Sequence, residues 1–346
     1  MFRDTCSRLI GAVLVIAALA GSAHALPFSS IVAFGDSLAD TGNNARFFDE
    51  VLGAAGARTP TPIPSPTFVP ELPYAADRYS NGPVWVEQFA GLLGLRADPS
   101  LAGGTNFAFG GARTGPAGSS FPFSLLDQAS MFLAATGGIA SPDALYIVQG
   151  GGNDARDALF SPAALGGDRG AMITAYAANI GALVGELAAA GADTLLLANT
   201  PDIGLIPATL TLGPAAAALA SAIASEMNAA LDAVLATLVL PPSFELQILD
   251  LFGLLNQLHA DPGAFGLSDA TSACAVDPAC IAEPSSTFFW DAIHPTTAGH
   301  AVLAQRALAL VTAASPSPVP EPATVALLFV AALAALGVRR PARRRM

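Results

Sequence analysis

Short, unbroken apolar runs alternate along this chain with longer stretches in which apolar residues recur every three or four positions. The runs are Ile31-Val-Ala-Phe34, Leu145-Tyr-Ile-Val148 and residues 194–198, and residues 244–249 read as a further strand in which Glu245 and Gln247 alternate with apolar residues. A run with no polar alternation is the signature of a strand buried on both faces, the usual state of a parallel sheet. Between them the helical period predicts helices over residues 46–56, 83–93, 171–190, 215–238, 251–259 and 297–311. Pro83 suits a first helical turn, and Trp85, Phe89 and Leu92 or Leu93 follow at helical spacing. Gly191 supplies a C-terminal stop for the alanine-rich helix before it. Residues 106–112 add a short apolar strand ending in a glycine pair. Strand and helix in alternation imply an α/β fold: a three-layer α/β/α sandwich on a parallel sheet of about five strands, with right-handed crossovers. Residues 59–73 break the pattern. Prolines at 60, 62, 64, 66, 70 and 73 oppose both helix and ladder, so this segment is expected to be a long surface loop, and such loops beside a site are often lids.

The two ends fall outside this pattern. Arg3 and Arg8 precede an uncharged apolar run, and Ala23-His-Ala25 offers a cleavage site, so residues 1–25 read as a secretory signal peptide. Residues 26–315 then form the folded domain and 316–322 a proline-rich linker. Residues 323–346 comprise sixteen residues without charge followed by Arg339, Arg340, Arg343, Arg344 and Arg345. That order is expected of a C-terminal membrane segment held on the cytoplasmic side by its arginines.

Charge narrows the range of partners. The chain has 15 basic and 27 acidic residues. Setting aside two arginines in the leader, five in the tail, Asp4 and Glu321 leaves 8 basic against 25 acidic, a net charge near −17. A body this acidic excludes nucleic acid as a partner and suits solubility. Cys274 and Cys280 enclose five residues. In an exported protein a disulfide is expected there, since zinc would need two further ligands that no neighbouring histidine provides.

Polar residues follow each strand directly, where ligands bind in an open parallel sheet. Gly35-Asp-Ser37 follows the first. Ser37 has two readings: an exposed nucleophile, or the first member of an S-x-x-D capping box with Asp40. Thr41-Gly-Asn-Asn44 leaves such a cap little helix to serve. A serine nucleophile needs a base. Of the three histidines in the body, His259 and His300 are expected at the surface. His294 lies in a loop, held in extended backbone by Pro295, with Asp291 three residues earlier to orient its ring. Two glycine turns, Gly110-Gly111 and Gly150-Gly-Gly-Asn153, offer backbone and amide donors for an oxyanion. Taken singly, each is also an ordinary tight turn.

Together, Phe34-Gly-Asp-Ser-Leu38, Asn106-Phe-Ala-Phe-Gly-Gly-Ala112, Gly150-Gly-Gly-Asn-Asp154 and Asp291-Ala-Ile-His294 resemble, in order, the four sequence blocks of the GDSL or SGNH hydrolases. The resemblance implies their flavodoxin-like sandwich, with Ser37 as nucleophile and oxyanion donor, Gly111 (or Gly110) and Asn153 as further donors, His294 as base and Asp291 as its orienting carboxylate. Residues 80–87, Asn199-Thr-Pro-Asp202 and His294-Pro-Thr-Thr297 look most like the branch of secreted lipases, haemolysins and glycerophospholipid acyltransferases. No G-x-S-x-G elbow is present, against an α/β-hydrolase. The tail resembles a PEP-CTERM sorting signal through Val319-Pro-Glu-Pro-Ala-Thr324, the apolar run and the arginines. That implies processing by an exosortase after transient membrane association, in an exported, envelope- or matrix-associated protein.

The expectation is therefore a secreted serine esterase or lipase that hydrolyses acyl esters through an acyl-Ser37, with no metal or organic cofactor. Two alternatives stand beside it: a carbohydrate O-acetyl esterase acting on exopolysaccharide, and a matrix-binding protein on an inert hydrolase fold.

Overall fold

In the computed structural model the described residues are 28–48, 77–116, 118, 121–160 and 168–314, with two-residue strand pieces at 58–59 and 69–70. The expected leader, most of the expected 46–56 helix, most of the proline-rich loop, the linker and the C-terminal segment lie outside them. The two pieces, Arg58–Thr59 and Val69–Pro70, do pair in parallel despite the prolines around them.

Strands β1 (Ser30–Phe34), β2 (Ala144–Gln149), β3 (Thr194–Ala198) and β4 (Glu245–Leu249) form one parallel sheet in the order β1-β2-β3-β4. Phe34 sits beside Val148, Val148 beside Leu197, and Leu197 beside Ile248. The strands therefore end together, and the polar turns that follow them share one edge. A fifth strand is present only in outline. Residues 105–109 run along the free side of β1, with Ala33 N–H donating to Thr105 O (3.1 Å), Phe107 N–H to Ala33 O (2.7 Å) and Phe109 N–H to Gly35 O (3.1 Å). The chain thus leaves β1 to one side and returns as β2 on the other. That reversal opens a crevice beyond Phe34.

All six residues of β2 are buried, because helices cover both faces. Helix α1 (Trp85–Leu92) packs with α7 (Thr297–Ala314), while α2 (Leu125–Thr136), α3 (Gly152–Phe160), α4 (Arg169–Ala190) and α5 (Pro214–Leu235) form the other layer. Gly191, at φ 109°, ends α4 in left-handed backbone as expected. Helix α2, which the apolar pattern does not announce, starts with a Ser124–Asp127 capping box and carries Phe132 against Phe34, Phe107 and Tyr146.

Helix α6 (Leu251–Ala260) follows β4, and a small parallel pair, β5 (Asp269–Ala273) and β6 (Thr287–Phe289), precedes the last helix. Cys274 and Cys280 are joined in a disulfide. Cys274 and Ala275 pack on Trp290 in a small core of their own, and Ala275 N–H donates to Trp290 O at 2.7 Å. The disulfide loop therefore lies close to the candidate chemistry. It backs the segment that leads into Asp291.

His300, expected at the surface, is fully buried inside α7. That helix is apolar around most of its circumference, so its pattern does not reveal an outward face.

Candidate active site

Ser37 stands three residues past the end of β1. The turn that carries it is held by Asp36, whose carboxylate accepts from Leu38 N–H (3.0 Å) and whose carbonyl accepts from Ala39 and Asp40 N–H. The Ser37 hydroxyl is therefore not spent on a cap. Asp40 caps instead, but for the next turn, Asn43–Arg46. Its carboxylate accepts from Gly42 and Asn43 N–H, both at 2.8 Å. Beneath the turn, the Gln128 amide of α2 clamps Gly35, accepting from its N–H (2.8 Å) and donating to its carbonyl (2.9 Å). Gln128 is buried and its partner is 93 positions away, so no local signal marks it in the sequence.

His294 Nε2 lies 2.8 Å from Ser37 Oγ, and its Nδ1 lies 2.8 Å from Asp291 Oδ2. The other Asp291 oxygen accepts from Ile293 and His294 N–H, each at 2.7 Å. Asp291 is fully buried and His294 nearly so. A carboxylate is acceptor-only, so Asp291 keeps the proton on Nδ1 and leaves Nε2 free to accept from the serine hydroxyl.

The loop is pinned from outside. Ser80 Oγ donates to Pro295 O (2.9 Å), Thr297 N–H to Asn81 Oδ1 (2.7 Å) and Thr296 Oγ1 to Thr287 O (2.6 Å). The Tyr79 ring lies 5.3 Å from the imidazole, and Asn44 Nδ2 donates to the Tyr79 hydroxyl at 2.7 Å.

Of the two glycine turns, the first places Gly110 N–H on Asp40 Oδ2 at 2.9 Å. A side chain at Gly110 would drive into the Tyr79 ring. With Gly110 so committed, Gly111 is the member of the pair whose N–H has no partner among the described residues. Its backbone, at φ 83°, lies in the left-handed region that glycine tolerates. Burial pushes the Asp40 carboxyl up to about 6, against the pull of the backbone donors around it.

The second turn is not a loop throughout, because Gly152 opens α3 and Asn153 lies in its first turn. Three contacts tie the two turns together. Asn153 Nδ2 donates to Ala112 O (2.9 Å), Thr114 Oγ1 to Asp154 Oδ1 (2.7 Å), and Arg113 forms an ion pair with Asp157 (2.8 Å). Desolvation likewise raises Asp154 to about 6.

Ser37 and Asn153 line one cleft together with Leu38, Arg156, Ile206 and Ile293. Four of its walls, Leu38, Pro201, Ile206 and Ile293, continue into a second, apolar cleft that extends past Leu251, Leu254, Leu258, Phe288 and Leu303. The structure thus joins Ser37, His294 and Asp291 directly and brings Asn153 to the same cleft. Gly111 is one residue from the carbonyl that Asn153 holds. Among the described residues no cluster of His, Cys, Asp and Glu has the arrangement of a metal site.

The profile of the GDSL-like Lipase/Acylhydrolase family matches residues 31–307. The esterase EstA of Pseudomonas aeruginosa is 29% identical over 352 aligned residues, which cover 90% of this chain and 51% of EstA. The chain therefore spans about half the length of that relative. A phosphatidylcholine-sterol acyltransferase of Aeromonas hydrophila is 27% identical, with 86% of this chain and 94% of the acyltransferase covered. A carbohydrate acetylesterase from Sinorhizobium meliloti, Est24, superposes with a TM-score of 0.43 at 16% identity, covering 82% of this chain and 98% of Est24. With the family profile running from β1 into the last helix, through all four strand-end blocks, the chain belongs to the GDSL-like lipase/acylhydrolase family.

Proposed function

We propose that the chain is a serine carboxylic-ester hydrolase for esters of extended acyl chains. The observation that carries this reading is the hydrogen-bonded line Ser37–His294–Asp291 opening into an apolar trough. His294 Nε2 takes the Ser37 proton as Oγ attacks the ester carbonyl. The negative charge that develops on the carbonyl oxygen meets the Ser37 and Gly111 N–H groups and the Asn153 amide. His294 then gives its proton to the leaving alcohol, which departs and leaves an acyl-Ser37. A water molecule, deprotonated by the same nitrogen, attacks the acyl carbon and releases the acid. Another alcohol in place of water would make the reaction an acyl transfer, the activity for which the Aeromonas relative is named.

The trough favours acyl chains over acetylated sugars. A sugar needs hydrogen-bonding partners, and the walls beyond Ile206 and Ile293 are leucine, phenylalanine and proline. A binding protein on an inert fold would have no use for hydroxyl, imidazole and carboxylate held in sequence at 2.8 Å. The leader (residues 1–25), linker (316–322) and tail (323–346) add an exported protein whose C-terminal segment rests in the membrane until an exosortase cleaves near Glu321.

p-Nitrophenyl esters from acetate to palmitate test the reading. Turnover is expected to rise with chain length beyond acetate, and Ser37→Ala to lower it about a thousandfold or more while abolishing fluorophosphonate labelling. Best activity on acetate and acetylated xylan would favour the carbohydrate esterase, and retained activity in Ser37→Ala would remove Ser37 as nucleophile.

A further inference from the structure

The Ser37 cleft has a wall that hydrolysis of a neutral ester does not use. Arg156 lies on α3, three residues and nearly one turn after Asn153, on the same face. It is half-buried and lines the cleft with Ser37 and Asn153. Other arginines near the site are spoken for: Arg78 pairs with Glu87 (2.6 Å) and Arg113 with Asp157 (2.8 Å). Among the described residues Arg156 has no carboxylate within ion-pair distance. Its nearest polar side-chain contact is a long one, Nη1 to Asn153 Oδ1 at 3.4 Å. Burial, and then the field of Arg113, lower its pKa, while the fields of Asp157, Asp291 and Asp36 favour its charge. A guanidinium taken half out of water without a partner is costly, and an anion that completes its hydrogen bonds recovers the loss.

The position of Arg156 says where that anion belongs. The four residues that the cleft shares with the trough are Leu38, Pro201, Ile206 and Ile293, all apolar. Arg156 and Asn153 line only the Ser37 end. If the acyl chain follows the trough, what remains beside Arg156 is the alcohol half of the ester.

Building on the ester-hydrolase reading above, we propose that Arg156 is a specificity residue which receives a negatively charged oxygen group on the alcohol side. The preferred substrates are then acyl esters of anionic alcohols, with a phosphate or a carboxylate near the ester oxygen. The chemistry of acyl transfer to Ser37 is unaltered, and the bond that breaks is the same. Arg156 adds binding that a neutral alcohol forgoes. The rest of the body is acidic and repels anions at long range, so this attraction is local and lost with the one side chain.

Three octanoyl esters with a common acyl half make the test: 1-octanoylglycerol, 1-octanoylglycerol 3-phosphate and O-octanoyl lactate. The full-length protein is expected to show a higher kcat/KM for at least one charged ester than for the neutral one, and the better of the two identifies phosphate or carboxylate. Arg156→Gln should reduce that charged-to-neutral ratio about tenfold or more, mainly through KM, and Arg156→Lys should restore part of it. Equal losses on all three esters would mean that Arg156 acts only through Asn153 and would overturn the proposal. Hydrolysis by the wild type with no preference for charge would overturn it as well, and leave the hydrolase reading standing. No turnover of any ester, together with no fluorophosphonate labelling of Ser37, would remove both.

Discussion

Replacing His300 with leucine should change how stability depends on pH, and the size of the change follows from where the ring sits. His300 is fully buried in α7, and neither ring nitrogen has a hydrogen-bond partner among the described residues. Burial, and then the nearby charge of His294, lowers its pKa to about 3. The folded protein therefore keeps this ring neutral across the physiological range. In the unfolded chain it takes a proton as pH falls through ~6.5. Protons then bind preferentially to the unfolded state, so His300 stabilises the fold above that pH and the contribution is lost on acidification. At about pH 5 the ring is roughly 1.5 units below its unfolded pKa, and at about 1.4 kcal/mol per unit the loss is about 2 kcal/mol relative to neutral pH.

Asp40 and Asp154 act in the opposite sense. Their carboxyls, raised to about 6, bind protons in the folded state between ~4 and ~6 and so favour folding as the pH drops through that window. The wild type alone would therefore show a muted pH response. Both aspartates remain in His300→Leu, and their effects cancel when the two proteins are compared. Urea unfolding followed through Trp85 and Trp290, both buried, gives the stability of each protein near pH 7 and near pH 5. The expected result is that the variant gains about 2 kcal/mol on the wild type between the two conditions. An advantage for the variant that is equal at both pH values would refute the buried, neutral imidazole.

Two further changes bear on the site. Asp291→Asn should lower kcat on p-nitrophenyl butyrate by about three to four orders of magnitude with KM little altered, because an amide no longer fixes the His294 tautomer; a loss below tenfold would deny Asp291 that role. The Cys274→Ser, Cys280→Ser double variant should lose about 2 kcal/mol of stability, as a short closed loop implies. It should also lose activity on the same ester, since the loop backs Trp290 next to Asp291, and unchanged kinetics in the double variant would show that this support is not needed.

How far the sequence alone reaches depends on the range of the interactions involved. Strands such as Thr194–Ala198 are visible because a doubly buried strand must be apolar throughout, and the end of α4 is visible because Gly191 is the residue a left-handed cap prefers. The four strand-end blocks can be read because each packs its chemistry into a few consecutive residues. Helix α3 escapes notice because it begins Gly-Asn-Asp, which reads as a turn until the strands on either side fix where it must start. The edge strand at residues 105–109 makes ladder bonds to β1 without the regular pairing of a full strand. Long-range partners leave no local mark. Nothing near Gln128 says that it clamps Gly35, and nothing near Cys280 says that its loop supports Trp290. His300 was misplaced because alanine-rich α7 has little polarity from which to tell its faces apart.

The proposed nucleophile and its proposed base are separated by 257 positions, and this gives the order of synthesis a chemical meaning. A chain that emerges N-terminus first, from a ribosome or a membrane pore, presents Ser37 early and His294 almost last. Until the final loop has packed against Ser80 and Asn81, the serine is an ordinary alcohol, with no more reactivity toward an ester than solvent. Products of premature termination or of C-terminal proteolysis before His294 would carry the GDSL block and still be inert. During synthesis the proposed chemistry is therefore unavailable until nearly the whole domain has emerged.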